Sequence, residues 1–327
     1  MAENRRPLSE QVMVITGATS GIGLATARLA AQKGAAVVLA ARNSQALSQI
    51  EADLRAQGHK ALAVPTDVTS RAEIKRLADA AEREFGRIDT WVNNAGASLF
   101  GKLTEVSDED SRALWEVNFW GLVYASLEAV DRMRTNGGTL INLGSVTSDI
   151  TIPIQSMYST TKHAVKGFTD GLRMELAADG VPITVTLIKP ASVDTPLPEH
   201  ARNYMSVQPK LPEPLSAPED VAEAIVKAAV HGGRDVYVGM AAPVFTTLHA
   251  VMPSLLDWLG RTVLISRQRT SRPAHTAAGN LARPGSGGHA HGKEGAIPTS
   301  RRSWAVPLTL GLLGVGILSL MQFEKKS

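Results

Sequence analysis

Residues 12–34 read VMVITGATSGIGLATARLAAQKG, and this stretch decides the fold. Val12 to Ile15 is a short apolar run of the kind that forms a buried strand. Thr16-Gly17-Ala18-Thr19-Ser20-Gly21-Ile22-Gly23 follows at once, and then a helix-forming segment rich in Ala and Leu. A strand, a Gly-rich turn and a helix in that order make a phosphate cradle. The glycines let the backbone approach a pyrophosphate, and the helix N-terminus offers free N–H groups and the positive end of its dipole. The same letters could form an ordinary turn between strand and helix; the flanking elements favour the cradle.

The alternation continues outward from this unit. Ala35 to Ala41 is a second strand, ending in Arg42-Asn43. Dinucleotide folds that take NAD place an acid near this point for the ribose 2′-hydroxyl, whereas an Arg suits a 2′-phosphate. Here there is an Arg and no acid, which predicts NADP(H); a solvated helix start is the other role open to Arg42. Ala61 to Val64 leads to Asp67-Val68, and Ile88 to Val92 ends in Asn93-Asn94-Ala95-Gly96. Asp108 to Arg134 reads as one long helix with Asn118 in its interior, a poor helix former that needs a reason to be there. Further strands are predicted at Thr139 to Leu143, Ile183 to Ile188 and Asp235 to Val238, with a helix from Pro218 to His231. Strands alternating with helices predict an α/β doubly wound parallel sheet of about seven strands. Pro190 to Pro218 contains seven prolines and few periodic apolar residues, and is read as a long loop forming a substrate lid.

The chemistry concentrates between Ser145 and Lys162, SVTSDITIPIQSMYSTTK. Tyr158 and Lys162 are one helical turn apart, so both side chains share a face. A cation that close favours the phenolate and is expected to lower the phenol's pKa. Ser145 follows the strand ending at Leu143, and the C-terminal ends of such strands are where open α/β sheets bind ligands. A Tyr-x-x-x-Lys pair by itself is more often a solvated helix face; its place among the other motifs is what gives it weight.

The chain of 327 residues is 44% apolar and 20% charged, enough for one large core and an appendage. It has no cysteine, so disulfides and thiolate metal sites are excluded. From Arg261 to Ser327 there are ten Lys or Arg against two Glu, which leaves the body mildly acidic despite the total of +3. An acidic body with few aromatic residues argues against a nucleic-acid partner. The N-terminus, MAENRRPLSE, lacks the apolar segment of a secretory signal.

The C-terminal third is read in three parts. Residues 240–265 are apolar but broken by Pro243, His249, Pro253 and Asp257, and either pack on the lid or lie on a bilayer. Residues 266–303 are rich in Gly, Ser, Pro and Arg and are expected to be a flexible basic linker, with His289 and His291 solvated and no metal bound. Trp304 to Phe323 is twenty residues without a charge, flanked by Arg301-Arg302 and Glu324-Lys325-Lys326. That length spans ~30 Å as a helix, so it is expected to be a transmembrane anchor, its upstream arginines placing the body on the cytoplasmic side.

From about Gln11 to Gly239 the chain resembles the short-chain dehydrogenase/reductase family of one-domain NAD(P) enzymes, through TGATSGIG, Asp67-Val68, NNAG, Asn118, Ser145, YSTTK and Pro190 to Thr195. The resemblance implies that Tyr158 is the general acid in reduction, that Ser145 bonds the substrate oxygen, and that Lys162 binds the nicotinamide ribose and depresses the Tyr158 pKa. Asn118 would hold a water in a proton relay. It also implies that Gly17, Thr19, Ser20, Gly21, Ile22 and Gly23 line the pyrophosphate, Asp67 and Val68 the adenine, and Asn94, Ala95 and Gly96 the middle of the cofactor. Pro190, Val193 and Thr195 would meet the nicotinamide, with Ala191 where the family commonly has Gly. The chain is thus divided into an N-terminal tail (1–10), a catalytic domain (11–265) with its lid (190–218), the linker (266–303) and the anchor (304–323). The expected activity is NADP(H)-dependent interconversion of a carbonyl and an alcohol, reducing a lipophilic ketone or aldehyde, by a homo-oligomer. Leu99, Ile152 and Leu197 supply the apolar surroundings. The alternatives are an NAD-linked alcohol dehydrogenase and a cofactor-binding scaffold or sensor without turnover.

Overall fold

The computed structural model describes residues 6–239, 241–274 and 279–292. Its centre is β1 (Val12–Thr16), every residue of which is buried. Side chains alternate across a strand, so Met13 and Ile15 enter one apolar layer and Val12 and Val14 the other. The chain then runs through α1 (Gly21–Gln32), β2 (Ala36–Ala41), α2 (Ser44–Ala56), β3 (Ala61–Pro65), α3 (Arg71–Phe85), β4 (Thr90–Asn93) and a short β5 (Leu99–Phe100). After α4 (Asp108–Trp115) and α5 (Gly121–Met133) come β6 (Gly138–Leu143), α6 (Ser156–Ala178), β7 (Ile183–Pro190), α7 (Leu197–His200), β8 (Arg202–Asn203), β9 (Val207–Pro209), α8 (Pro218–His231) and β10 (Asp235–Val238).

Seven of these strands form one parallel sheet in the order β10-β7-β6-β4-β1-β2-β3. From β1 the chain winds outward to β3, then crosses back to β4 on the other side. The crevice between β1 and β4 is therefore the topological switch point, where such sheets bind ligands. One face is covered by α1, α2 and α8 through Leu24, Ala27, Leu47, Ile50, Val221 and Ile225. The other is covered by α3, α5 and α6 through Ile74, Leu77, Ala129, Met133 and Leu172. Each fully buried Leu or Ile in these layers contributes ~2 kcal/mol of apolar transfer.

Local signals fix the helix ends. Ser70 accepts from Glu73 N–H and starts α3, and Gly86, with φ 80°, ends it. The predicted helix over 108–134 is a continuous run of helix in which Glu116–Trp120, between α4 and α5, is a wider π-type turn. Such bulges often sit at functional sites, and this one contains Asn118.

The predicted lid is less irregular than its prolines suggest. Besides α7, its β8 pairs with β5. Residues 240–265, left open between packing and a bilayer, fold largely as α9 (Ala241–Val251), α10 (Pro253–Leu259), a π-type turn over Gly260–Leu264 and the start of α11 (Ile265–Arg267). Phe245, Leu248, Leu256 and Leu259 pack with Val146 and Ile150, on the loop that follows Ser145.

Residues 266–292, expected to be flexible linker, differ from that expectation wherever they are described. β11 (Arg269–Pro273) pairs antiparallel with β9, and α12 (Gly279–Ala282) packs Leu281 against Leu99 and Leu114. Composition misjudged this stretch because its contacts are backbone pairing and isolated side chains such as Gln268, Leu281 and His291 rather than a periodic apolar face. The anchor predicted at 304–323 lies outside the described residues. Among the described residues no helix is long and apolar enough to cross a membrane.

Candidate active site

The C-terminal ends of β1, β2, β4, β6 and β7 open into one cleft lined by Gly17, Thr19, Ser20, Gly21, Ile22, Arg42, Asp67, Val68, Asn94, Ala95, Gly96, Ser145, Tyr158, Lys162, Pro190, Val193 and Thr195. Of the predicted site residues, Gly23 and Asn118 alone stand behind this lining. Both act through packing. A Cβ on Gly23 would lie 2.2 Å from the Gly17 carbonyl oxygen, so the helix can approach the turn this closely only with Gly. Asn118 is buried, accepting from Ala97 N–H (2.8 Å) and donating to the Ala97 carbonyl (3.0 Å) and to Thr161 Oγ1 (3.1 Å). Both its amide donors are thus used inside the protein, and they join the segment after β4 to α6.

The cradle is built by backbone conformation. Gly17 (φ 67°) and Gly21 (φ 55°) take left-handed conformations that L side chains resist. Ser20 is extended at the N-cap of α1 and makes no side-chain cap bond. The Thr16 hydroxyl accepts from Asn94 and Ala95 N–H, both at 3.0 Å, and Asn94 Nδ2 donates to the carbonyls of Thr16 (2.9 Å) and Gly17 (3.2 Å). The two strands at the switch point are thereby locked at the same height. Asp67 turns inward on its own loop, accepting from Thr69 N–H (3.0 Å) and Thr69 Oγ1 (2.8 Å). Where Ala191 replaces a commonly found Gly, its N–H donates to the Val238 carbonyl at 2.9 Å, and the extended path of β7 is kept.

These features suit a dinucleotide. A Cβ added to Gly21 would lie 3.4 Å from Thr195, so the cradle is as wide as a glycine leaves it. Arg42 brings a guanidinium to the end of β2 and Lys162 an ammonium to the end of β6, cations at two separate points along the cleft.

At the reacting end, Ser145 is extended after β6. Its hydroxyl accepts from Thr147 N–H (3.1 Å), and Ser148 Oγ accepts from Ser145 N–H (3.2 Å), closing the 3-10 turn Val146–Ser148. Lys162 Nζ donates to the Leu143 carbonyl at 2.8 Å, tying α6 to the end of β6. The Tyr158 hydroxyl hydrogen-bonds Ser145. Burial pushes the phenol up to about 12, and the Ser145 bond pulls it partly back. Burial lowers Lys162 to about 8. The expectation that the ammonium would depress the phenol is thus corrected in sign: Nζ lies 5.7 Å from the ring centre, and loss of solvent is the largest cause of the shift in both groups.

Sequence reasoning missed three supports of this end. Lys189, at 1% exposure, holds Asp149 and Asp235 (both 2.9 Å) and Tyr237 Oη (2.8 Å), and Tyr237 Oη also donates to Asp149 (2.9 Å). This network ties the Ser145 loop to β7 and β10. A lysine inside the apolar strand ITVTLIKP was the available signal; partners so distant in sequence were not. Gln155 Nε2 donates to Gln268 Oε1 at 2.6 Å, and Gln268 donates to the Pro153 carbonyl at 3.0 Å, joining the start of α6 to the segment after α11. Ile154, just before α6, has φ 60°, a strained value for a β-branched residue. Leu99, expected near the substrate, is buried beside Leu114, whereas Ile152 and Leu197 line the cleft.

A family model for short chain dehydrogenases matches residues 11–205. The chain is 45% identical over 273 residues to the uncharacterized oxidoreductase YxnA of Bacillus subtilis (strain 168), an alignment covering 83% of this chain and 77% of that protein. It is 37% identical over 222 residues to an uncharacterized oxidoreductase of Staphylococcus aureus (strain USA300), covering 68% of this chain and 91% of that one. Among solved structures, a short chain dehydrogenase/reductase from Burkholderia phymatum in complex with NAD superposes with TM-score 0.70 at 27% identity, over 83% of this chain and 100% of that chain. An alcohol dehydrogenase from the archaeon Thermococcus sibiricus, complexed with 5-hydroxy-NADP, gives 0.61 at 27% identity, over 70% and 94%.

Proposed function

Since the chain belongs to the short chain dehydrogenase family and is an oxidoreductase of that family, we propose that it is an NADP(H)-dependent reductase of lipophilic ketones or aldehydes. The observation that carries this reading is the meeting of Ser145, Tyr158 and Lys162 at the end of β6, in the same cleft as the phosphate cradle. A nicotinamide held in this cleft by the Gly17–Gly23 turn and Lys162 would supply the hydride. Ser145 and Tyr158 then meet the carbonyl oxygen with two hydroxyl donors and stabilise the charge that develops there. Tyr158, held protonated by burial, gives its proton to that oxygen. Lys162 orients the ribose, and Asn118 keeps α6 in register with the segment after β4.

The NADP(H) preference rests on Arg42 and on the absence of an acid at the end of β2. The lipophilic substrate rests on Val117, Ile152, Leu197 and Leu211 in the cleft lining. A tether through 304–323, with the body on the cytoplasmic side, rests on the uncharged run and its flanking arginines. Trp120, Leu127 and Met174 are exposed, which favours a homo-oligomer through the long helices. The test is turnover of aliphatic and aromatic ketones and aldehydes with NADPH and NADH, for the wild type and Arg42→Ala. NADPH should be preferred at least tenfold by the wild type and not by the variant; a preference for NADH in the wild type would instead favour the NAD-linked dehydrogenase.

A further inference from the structure

Residues 279–292 lie on the phosphate-binding end of the cleft, and their backbone uses the donors a dinucleotide would need. Arg42 donates through Nη2 to the Asn280 carbonyl and, at 3.4 Å, to that of Arg283; through Nη1 it donates to the Leu281 carbonyl at 3.3 Å. Asn43 Nδ2 donates to the Gly285 carbonyl at 3.1 Å. The glycine turn is engaged in the same way: Gly21 N–H donates to the His289 carbonyl at 3.0 Å, and Gly288 N–H donates to the Thr19 carbonyl at 2.8 Å.

The segment lies flush because it is made of small residues. A Cβ on Gly287 would come within 2.4 Å of the Ala46 Cβ and 3.3 Å of the Thr19 Cβ. Its far end is anchored by His291, with Nδ1 2.9 Å from Asp194 Oδ2 and Nε2 3.1 Å from Glu219 Oε1. Asn280, Pro284, Gly285 and Ser286 form one wall of the cleft, and the remaining cavity is about 250 Å³. Ligand pockets commonly measure ~300–1,000 Å³, and a dinucleotide is a large ligand on that scale.

We infer that residues 279–292 are a built-in competitor for the dinucleotide, a strap whose carbonyl oxygens occupy the phosphate donors of Arg42 and Gly21 until the cofactor displaces them. The inference rests on the NADP(H) reading of Arg42. A guanidinium fork engaged by three carbonyls cannot present the same donors to a phosphate, so the two states exclude each other. A phosphate makes charge-assisted bonds roughly twice as strong as those of a neutral carbonyl, so the strap yields. Apparent affinity falls by the fraction of molecules in which the strap is open, so a tenfold bias toward the closed form weakens binding about tenfold.

The test compares the full chain with Gly287→Ala, which unseats the strap sterically, and with His291→Ala, which removes its anchor. Amide hydrogen exchange over residues 18–22 and 279–292 is measured without cofactor, and NADPH and NADH are then titrated. Both variants should exchange faster in both segments and bind the dinucleotide about tenfold more tightly, and NADPH should speed exchange of 279–292 in the wild type. Unchanged or weaker binding in both variants would overturn the inference, as would NADPH slowing exchange of 279–292, which would make the strap a cover over bound cofactor. If NADH binds better than NADPH to all three proteins while the variants keep their gain, the strap stands and the reading of Arg42 fails.

Discussion

Lys162 is bonded to the Leu143 carbonyl at 2.8 Å while its ammonium stands 5.7 Å from the centre of the Tyr158 ring. The lysine is thus a structural tie as well as the phenol's neighbour, and its burial has a consequence for stability. Its folded value of about 8 lies below the ordinary 10.5. Between those values the unfolded chain binds more protons, so this group makes stability rise with pH from about 8 to 10.5; below 8 both states are protonated and the full cost is present. Urea unfolding of wild type and Lys162→Met from pH 7 to 10 should show the rise in the wild type and a flatter profile in the variant.

Asn118 satisfies both backbone groups of Ala97 and the hydroxyl of Thr161. Replacing it by Ala leaves buried donors and acceptors unpaired, at ~1–3 kcal/mol each before relaxation. Asn118→Ala should therefore lose ~2–4 kcal/mol in urea unfolding, a loss that a residue serving only to hold a water would not produce.

Lys189 is the cation between Asp149 and Asp235. Removing one partner of a buried ionic cluster costs ~3–5 kcal/mol when a charge is left uncompensated; here Asp149 loses the cation beside it, while Asp235 keeps Arg173 at 3.4 Å. Lys189→Met should lose about that much and lower kcat/KM through the Ser145 loop. Adding Asp149→Asn and Asp235→Asn should recover part of the stability.

His291 is raised above its ordinary value, chiefly by its bond to Asp194, with Glu219 adding to it. The Glu199 carboxylate lies on the same side, near Gly292. A raised histidine stabilises the docked strap fully below the ordinary value of 6.5 and loses that contribution as pH rises through the raised one. Thermolysin cleavage before Leu281 should accelerate with pH in the wild type relative to His291→Gln at each pH, and parallel profiles would remove the histidine from the anchor.

The sheet was legible because a parallel strand buried on both faces favours a continuous apolar run, which β1 and β2 have, while β6 and β7 keep Leu, Ile and Val at half of their positions with buried Thr and Asn between them. The cleft followed because Gly17, Gly21, Arg42, Ser145 and Tyr158 sit at strand ends, where the topology gathers them. What escaped the sequence was set by contacts between distant segments. Nothing local links Lys189 to Asp149, Gln155 to Gln268, or Arg42 to the carbonyls of 280–283. The sign of the Tyr158 shift escaped for a related reason: spacing gives the distance to a charge, but burial depends on everything packed around it.

The most direct test of the account is the reduction of a saturating carbonyl substrate by NADPH with Tyr158→Phe beside the wild type, with NADPH binding measured on both. Loss of a proton donor positioned in the transition state is worth ~10²–10⁴-fold in rate. The account predicts a loss of that size with NADPH affinity unchanged within about twofold. A variant that turns over at the wild-type rate would contradict it, because the proton would then come from a group other than Tyr158.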